Sequence, residues 1–169
     1  MNKVVLENRI EQLEEEVKRL KEELNKKELN KQVEYFKPKN NKKYYYILSK
    51  GDVNWSSWHD EVDYFDRKHF EVANCFETEE EARKVAFEQT LFRKIRRFKE
   101  TYDKGDIDWN NENSQKFYIR FNNQNKKISV DYIYNRADFG QIYFNSHKIA
   151  EQCIEEFTED LEKYFTGNY

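Results

Sequence analysis

The only close grouping of metal-ligand residue types in the chain is His59, Asp60, Asp63, Asp66 and His69. Imidazole nitrogens and carboxylate oxygens are donors that divalent ions accept. This spacing matches no recognised ligand pattern, however, and the stretch reads as a polar loop between two strands. No metal is assigned to it. The third histidine, His147, falls in the first turn of a later helix, where nothing around it supports a site. Cys75 stands at a strand end and Cys153 on the apolar stripe of a helix, positions that suit core packing better than nucleophilic chemistry. With 4 glycines in 169 residues there is hardly room for a phosphate-cradling loop. Cys-x-x-Cys, His-Glu-x-x-His and Gly-x-Ser-x-Gly are all missing from the sequence. The expectation is a non-enzymatic protein with no catalytic residue, no metal and no cofactor.

Two stretches could bind rather than catalyse. The first mixes carboxylates with rings, and its candidate partner-binding residues are Trp55, Trp58, Asp60, Glu61, Asp63, Tyr64 and Asp66. Carboxylates among exposed aromatics can imitate nucleic acid and fill a basic groove on a protein, the rings giving affinity and the charges the on-rate. The second is the basic run Arg93, Lys94, Arg96, Arg97 and Lys99. The helix that carries it begins with Glu79, Glu80 and Glu81, so the run also satisfies the helix dipole. As an alternative site, Arg93, Arg96, Arg97 and Lys99 would grip the phosphates of a nucleotide.

The elements that must position these residues follow from composition and periodicity. Mean hydropathy is −1.16 and the formal net charge −3, which argues against a basic coat for nucleic acid. The 13 Phe, 12 Tyr and 3 Trp nevertheless supply a core built from rings. No apolar run is long enough to span a bilayer, and the charged N-terminus reads as no signal peptide. Two cysteines suit a reducing cytoplasm.

Leu6, Ile10, Leu13, Val17, Leu20 and Leu24 recur at alternating spacings of four and three. Ile10 and Val17 at a, with Leu6, Leu13 and Leu20 at d, favour a parallel two-stranded coiled coil. Arg9 and Glu16 at g attract Glu14 and Lys21 at e of the partner strand. A homo-oligomer, most simply a parallel dimer, is expected. The chain then divides into a coiled-coil helix over 1–30, a polar linker over 31–43 holding Pro38, a ββ(β)α unit over 44–104 and a second such unit over 116–169. In the first unit Phe70–Phe76 is read as a third strand, and Thr78 with Glu81 forms a capping box that opens a helix reaching Tyr102. Phe144, Ser146 and Ala150 echo Phe76, Thr78 and Ala82 at a constant offset, a pattern of degenerate duplication. The last helix is read as one piece from Ser146 to about Phe165. The fold class is α+β, with antiparallel pairing.

Residues Tyr45, Tyr46, Gly51, Trp55, Asn74, Phe76, Thr78, Glu80, Glu81 and Ala82, preceded by a short leucine-zipper helix, resemble a group of small accessory proteins from phages and prophages of low-GC Gram-positive bacteria. The group commonly has Gly where Ala73 stands here. The resemblance implies a context, the cytoplasm of an infected bacterial host, and a class that includes anti-CRISPR inhibitors. Taken with the lack of a catalytic motif and the acidic–aromatic stretch, the expected function is stoichiometric blocking of a host defence protein such as a nuclease or CRISPR effector. The alternatives are an oligomeric sponge for a nucleotide immune signal and a phage structural or assembly adaptor.

Overall fold

A computed structural model of the chain describes residues 9, 10, 12–21, 36–59 and 63–169. Leu6, Leu24, Asp60 and Glu61 lie outside the described residues. Among those described, the fold is mixed α+β, with five helices and two small antiparallel sheets. The chain forms two compact units, Met1–Lys37 and Pro38–Tyr169. In the first, the described residues 9, 10 and 12–21 are helical and form α1. No helix among the described residues is long and apolar enough to cross a membrane.

The second unit begins with a hairpin, β1 (Lys43–Ile47) and β2 (Val53–Ser57), in the register Tyr45 opposite Trp55. Lys43, assigned above to the linker, is thus already paired in a strand. The hairpin turn closes through Gly51, whose φ of 93° is left-handed backbone. An added Cβ there would lie 3.0 Å from the Thr90 hydroxyl, so both torsion and space call for glycine.

The expected third strand over Phe70–Phe76 is a correction. Residues Tyr64–Glu71 form a helix, α2, and only Phe76 pairs with β1, as an isolated antiparallel bridge to Tyr45. Asp63 caps α2 by accepting a hydrogen bond from Phe65 N. Asn74 completes the free edge of β1: its carboxamide oxygen accepts from Ile47 N and its amide donates to Ile47 O, both at 2.8 Å. One side chain therefore does what a strand residue would do.

The long helix α3 (Glu79–Tyr102) starts at Thr78, whose hydroxyl accepts from Glu81 N. Its buried residues change side along its length. Ala82 and Ala86 serve the first half, which packs across β1 and β2. Leu91 and Ile95, nearly opposite on a helix of about 3.6 residues per turn, enter a second core with Ile119, Phe144, Ala150, Cys153 and Leu161. One helix is thus shared by two cores.

The second sheet joins β3 (Lys116–Asn122), β4 (Lys127–Ile133) and β5 (Tyr143–Phe144) in the order β4-β3-β5. Phe144 pairs with Phe117 on β3, as Phe76 pairs with Tyr45 on β1. Ser146 then caps the next helix through Ile149 N, as Thr78 does through Glu81 N. Both halves therefore place the first hairpin strand between the second strand and the short segment that leads into a capped helix.

The last helix is not continuous. It divides into α4 (His147–Glu156) and α5 (Thr158–Thr166) at Phe157, whose φ and ψ of −115° and 24° are not helical. At the junction the Thr158 hydroxyl donates to Ile154 O at 2.7 Å, a side-chain bond that competes with the backbone ladder.

Candidate functional site: an inverted helix on the first hairpin

Helix α2 turns Asp66 and His69 inward, while Arg67, Lys68 and Glu71 face solvent. Asp66 is 2% exposed and the ring of Tyr44, which faces it, is fully buried. The Tyr44 hydroxyl donates to Asp66 Oδ1 at 2.6 Å, and His59 N donates to Asp66 Oδ2 at 2.8 Å. His69 Nδ1 lies 2.9 Å from the same hydroxyl. Because Tyr44 has one proton and gives it to a carboxylate oxygen, His69 must donate through Nδ1–H. Tyr46 stacks on the His69 ring at 4.2 Å, and Trp58 meets Tyr44 and Phe70 edge-on.

Burial, reinforced by the Asp66 carboxylate, pushes the Tyr44 hydroxyl far above the ordinary phenol value. Burial also pulls His69 below the ordinary imidazole value, against the pull of Asp66 and Asp63. Cys75, in the same small core, is pushed up to about 12 by burial and then by Asp66, so at neutral pH it is a thiol and a poor nucleophile.

Of the grouping that suggested metal chemistry, the structure brings Asp66 and His69 to the Tyr44 hydroxyl, and His59 meets Asp66 through its backbone N–H. Both Asp66 oxygens already accept a proton donor, and Asp63 serves as the helix cap. Among the described residues no group of three or more His, Cys, Asp and Glu side chains could hold a metal ion. The network is an anchor: it ties α2 to the hairpin through hydrogen bonds where most helices use apolar side chains.

The outer side of α2 carries Tyr64 and Phe65. At about 100° per residue, Tyr64, Lys68 and Phe65 share one sector, with Val72 just beyond the last turn as the C-cap residue; Asp66 and Phe70 lie on the other side and His69 beside Phe65. Phe65 and Val72 are each 70% exposed and Tyr64 is 59% exposed. Tyr64 and Phe65 meet edge-on at 5.9 Å, and Lys68 lies over the Tyr64 ring. At roughly 200 Å² per aromatic side chain, the two rings alone offer about 250 Å² of apolar surface to solvent. Exposed tyrosine and phenylalanine are among the side-chain types that anchor protein interfaces.

This redistributes the residues expected to bind a partner. Trp58 is 4% exposed and Asp66 is buried, so neither is a surface anchor; both hold the first core together. Tyr64 stays on the exposed stripe, and Asp63 borders it as the cap of α2. Trp55 is exposed, but the alternation of β1 and β2 puts it with Tyr45 on the side of the hairpin away from Tyr44 and Asp66, with Lys43 lying over both rings. Phe65 and Val72 were not among the expected partner-binding residues. The signal that points to them is Asp63 three residues ahead of Asp66, a helix-start pattern, with Tyr64, Lys68 and Val72 following at helical spacing.

The basic run on α3 is likewise divided. Lys94 bonds Asp160 on α5 at 3.0 Å, and Arg93 reaches back to Gln89 O and Thr90 Oγ1. Arg93, Arg96 and Arg97 are exposed on one sector, the continuation of the Ala82–Ala86 side beyond the hairpin turn, while Lys99 lies off that sector. Neither Arg96 nor Arg97 makes an ion pair among the described residues.

In the second core, an apolar cavity of about 280 Å³ opens between Leu91, Ile95, Ile142 and Phe165. Tyr164 is the one titratable residue in its lining, and burial raises the pKa of its hydroxyl. The cavity offers volume without an acid, base or nucleophile.

No family model, curated protein or solved structure matches the chain.

Proposed function

We propose that the protein acts by binding, without turnover, as a phage-encoded inhibitor that docks the outer stripe of α2 on a host defence protein such as a nuclease or CRISPR effector. The observation that carries this reading is a partial inversion of α2: Asp66 and His69 face inward beside Phe70, while Tyr64 and Phe65 face solvent. Exposing two aromatics and a valine while burying an aspartate opposes folding stability, so a sequence that does so is accommodating something other than its own core. Burial of the exposed Tyr64 and Phe65 surface at about 25 cal/mol per Å² is worth roughly 6 kcal/mol gross, enough for two anchor residues at the centre of a protein interface. The defence context rests on the resemblance of the first unit to phage accessory proteins.

The test is titration of a CRISPR nuclease cleavage assay with the protein. Inhibition should grow linearly and saturate at a fixed molar ratio near one chain per nuclease. Complete inhibition at a small fraction of the nuclease concentration would indicate turnover and defeat the reading. A second reading, sequestration of a nucleotide signal, is favoured by the exposed and unpaired Arg96 and Arg97 next to Arg93. Under it, Arg93→Ala/Arg97→Ala would abolish inhibition and Phe65→Ser would leave it unchanged.

A further inference from the structure

The function proposed above leaves α1 without a role. Within the described helix, Ile10, Leu13, Val17 and Leu20 are 45% to 57% exposed, and the rest of the helical surface is polar or charged. A stripe of four large apolar residues on a helix this polar is not retained for solubility. Its spacing is 3, 4, 3, the narrow seam of a coiled coil, with β-branched Ile10 and Val17 at a and Leu13 and Leu20 at d.

We infer that this seam is occupied by α1 of a second copy of the chain, parallel and in register. Charge selects that occupant and that direction. In a parallel pair each g residue faces the e residue of the following heptad on the other strand. Arg9 then faces Glu14 of the second copy, and Glu16 faces Lys21, so both kinds of pair attract. The symmetry of the dimer doubles each, giving four favourable contacts and no opposed like charges among the described g and e positions. In an antiparallel pair g faces g and e faces e. In the antiparallel register that overlaps all four seam residues, Glu16 meets Glu16 and Glu14 meets Glu14 of the second copy, and both pairs repel.

Two described heptads bind weakly by themselves, so the dimer is expected to dissociate in the micromolar range and to weaken as salt rises. The consequence for function rests on the α2 reading. Parallel helices send both chains out at the same end, so each dimer presents two copies of the Tyr64–Phe65–Val72 stripe, and a target carrying two sites is bound with avidity.

The experiment uses the full chain carrying Val17→Cys. Cys75 and Cys153 do not interfere, because both are buried and both thiols are pushed up to about 12. Under oxidised glutathione, a parallel in-register pair brings the two introduced thiols together at an a layer, and most of the chain should convert to a covalent dimer. The wild-type chain should sediment at twice 20.9 kDa at 50 μM or so, and Leu13→Lys should sediment as one chain. A wild-type protein that sediments as a single chain overturns the inference. So does a dimer in which Val17→Cys fails to cross-link, because that dimer is antiparallel or out of register. Failure here leaves the α2 reading standing, since Phe65→Ser is scored by inhibition and not by mass.

Discussion

Replacing Asp66 with alanine should detach α2 from the hairpin. The carboxylate accepts from the Tyr44 hydroxyl at 2.6 Å and from His59 N at 2.8 Å, at a site that is 2% exposed. A hydrogen bond to a charged group is worth about 1.5–3 kcal/mol net. Asp66→Ala removes two of them and leaves the fully buried Tyr44 hydroxyl without its acceptor. The loss should therefore be about 3–5 kcal/mol, a large part of the 5–15 kcal/mol typical of a domain. Asp66→Asn keeps the shape and one acceptor oxygen and should cost about half as much. Tyr44→Phe removes the shared proton, so the Tyr44→Phe/Asp66→Ala double variant should cost less than the two singles added together, with a coupling of about 1–3 kcal/mol. The assay is urea unfolding followed by tryptophan fluorescence, with amide exchange of Lys68–Val72 read in parallel because the release is expected to be local. A shift below about 0.5 kcal/mol for Asp66→Ala, or strict additivity in the cycle, would refute the account of α2 as a helix held by its polar side.

Three further outcomes are expected. His69 titrates below its ordinary value of 6.5, so its neutral form is the one the fold prefers; that stability is present above about pH 6.5 and is lost as pH falls through the lower folded value. The urea midpoint should then drop between pH 7 and pH 5, and His69→Gln should flatten that interval. Glu71 and Asp131, held low by Lys68 and Arg120, lose their contributions only below about pH 4.5. Cys75 and Cys153 should both resist a thiol reagent at pH 7.5 in the native protein and both react in guanidinium, and a native thiol that reacts within seconds would contradict their burial. Ala73 has a φ of 54°, left-handed backbone that alanine tolerates poorly; Ala73→Gly should raise stability by about 0.5–1 kcal/mol, whereas Gly51→Ala should lower it by at least as much, both measured by thermal unfolding.

How far the sequence could be read depends on whether an element's apolar residues face its own core. Helix α3 was legible because Thr78 and Glu81 marked its start, and its change of buried side was visible in the opposition of Ala82 and Ala86 to Leu91 and Ile95. The structure adds what that change is for, a single helix serving two cores. Ser146 and the pairing of Phe144 followed the same local logic. The α2 segment reads as loop and strand because Tyr64 and Phe65 are exposed while Asp66 is buried, and periodicity arguments assume the reverse. For the same reason the sequence reads Trp58 and Asp66 as surface residues: only Ser56 and Ser57 separate Trp55 from Trp58, and only the end of β2 and the arrival of α2 decide which indole is covered. The break at Phe157 involves neither glycine nor proline. It comes with a threonine side chain bonding the preceding turn, which no local pattern announces.

The central claim is that the α2 stripe is a docking surface and no part of the folding core. It is tested most directly by plating a phage on a host whose CRISPR nuclease targets that phage, with either the wild-type chain or Tyr64→Ser/Phe65→Ser/Val72→Ser supplied from a plasmid. Circular dichroism of the variant should show the wild-type fold, because the three side chains are 59% to 70% exposed. Loss of Phe65 alone removes about 140 Å² of contact, roughly 3.5 kcal/mol at 25 cal/mol per Å², so the triple variant should reduce plating by at least about a hundredfold relative to the wild-type chain. A folded variant that protects the phage as well as the wild type, or a wild-type chain that restores no plating, would contradict the claim.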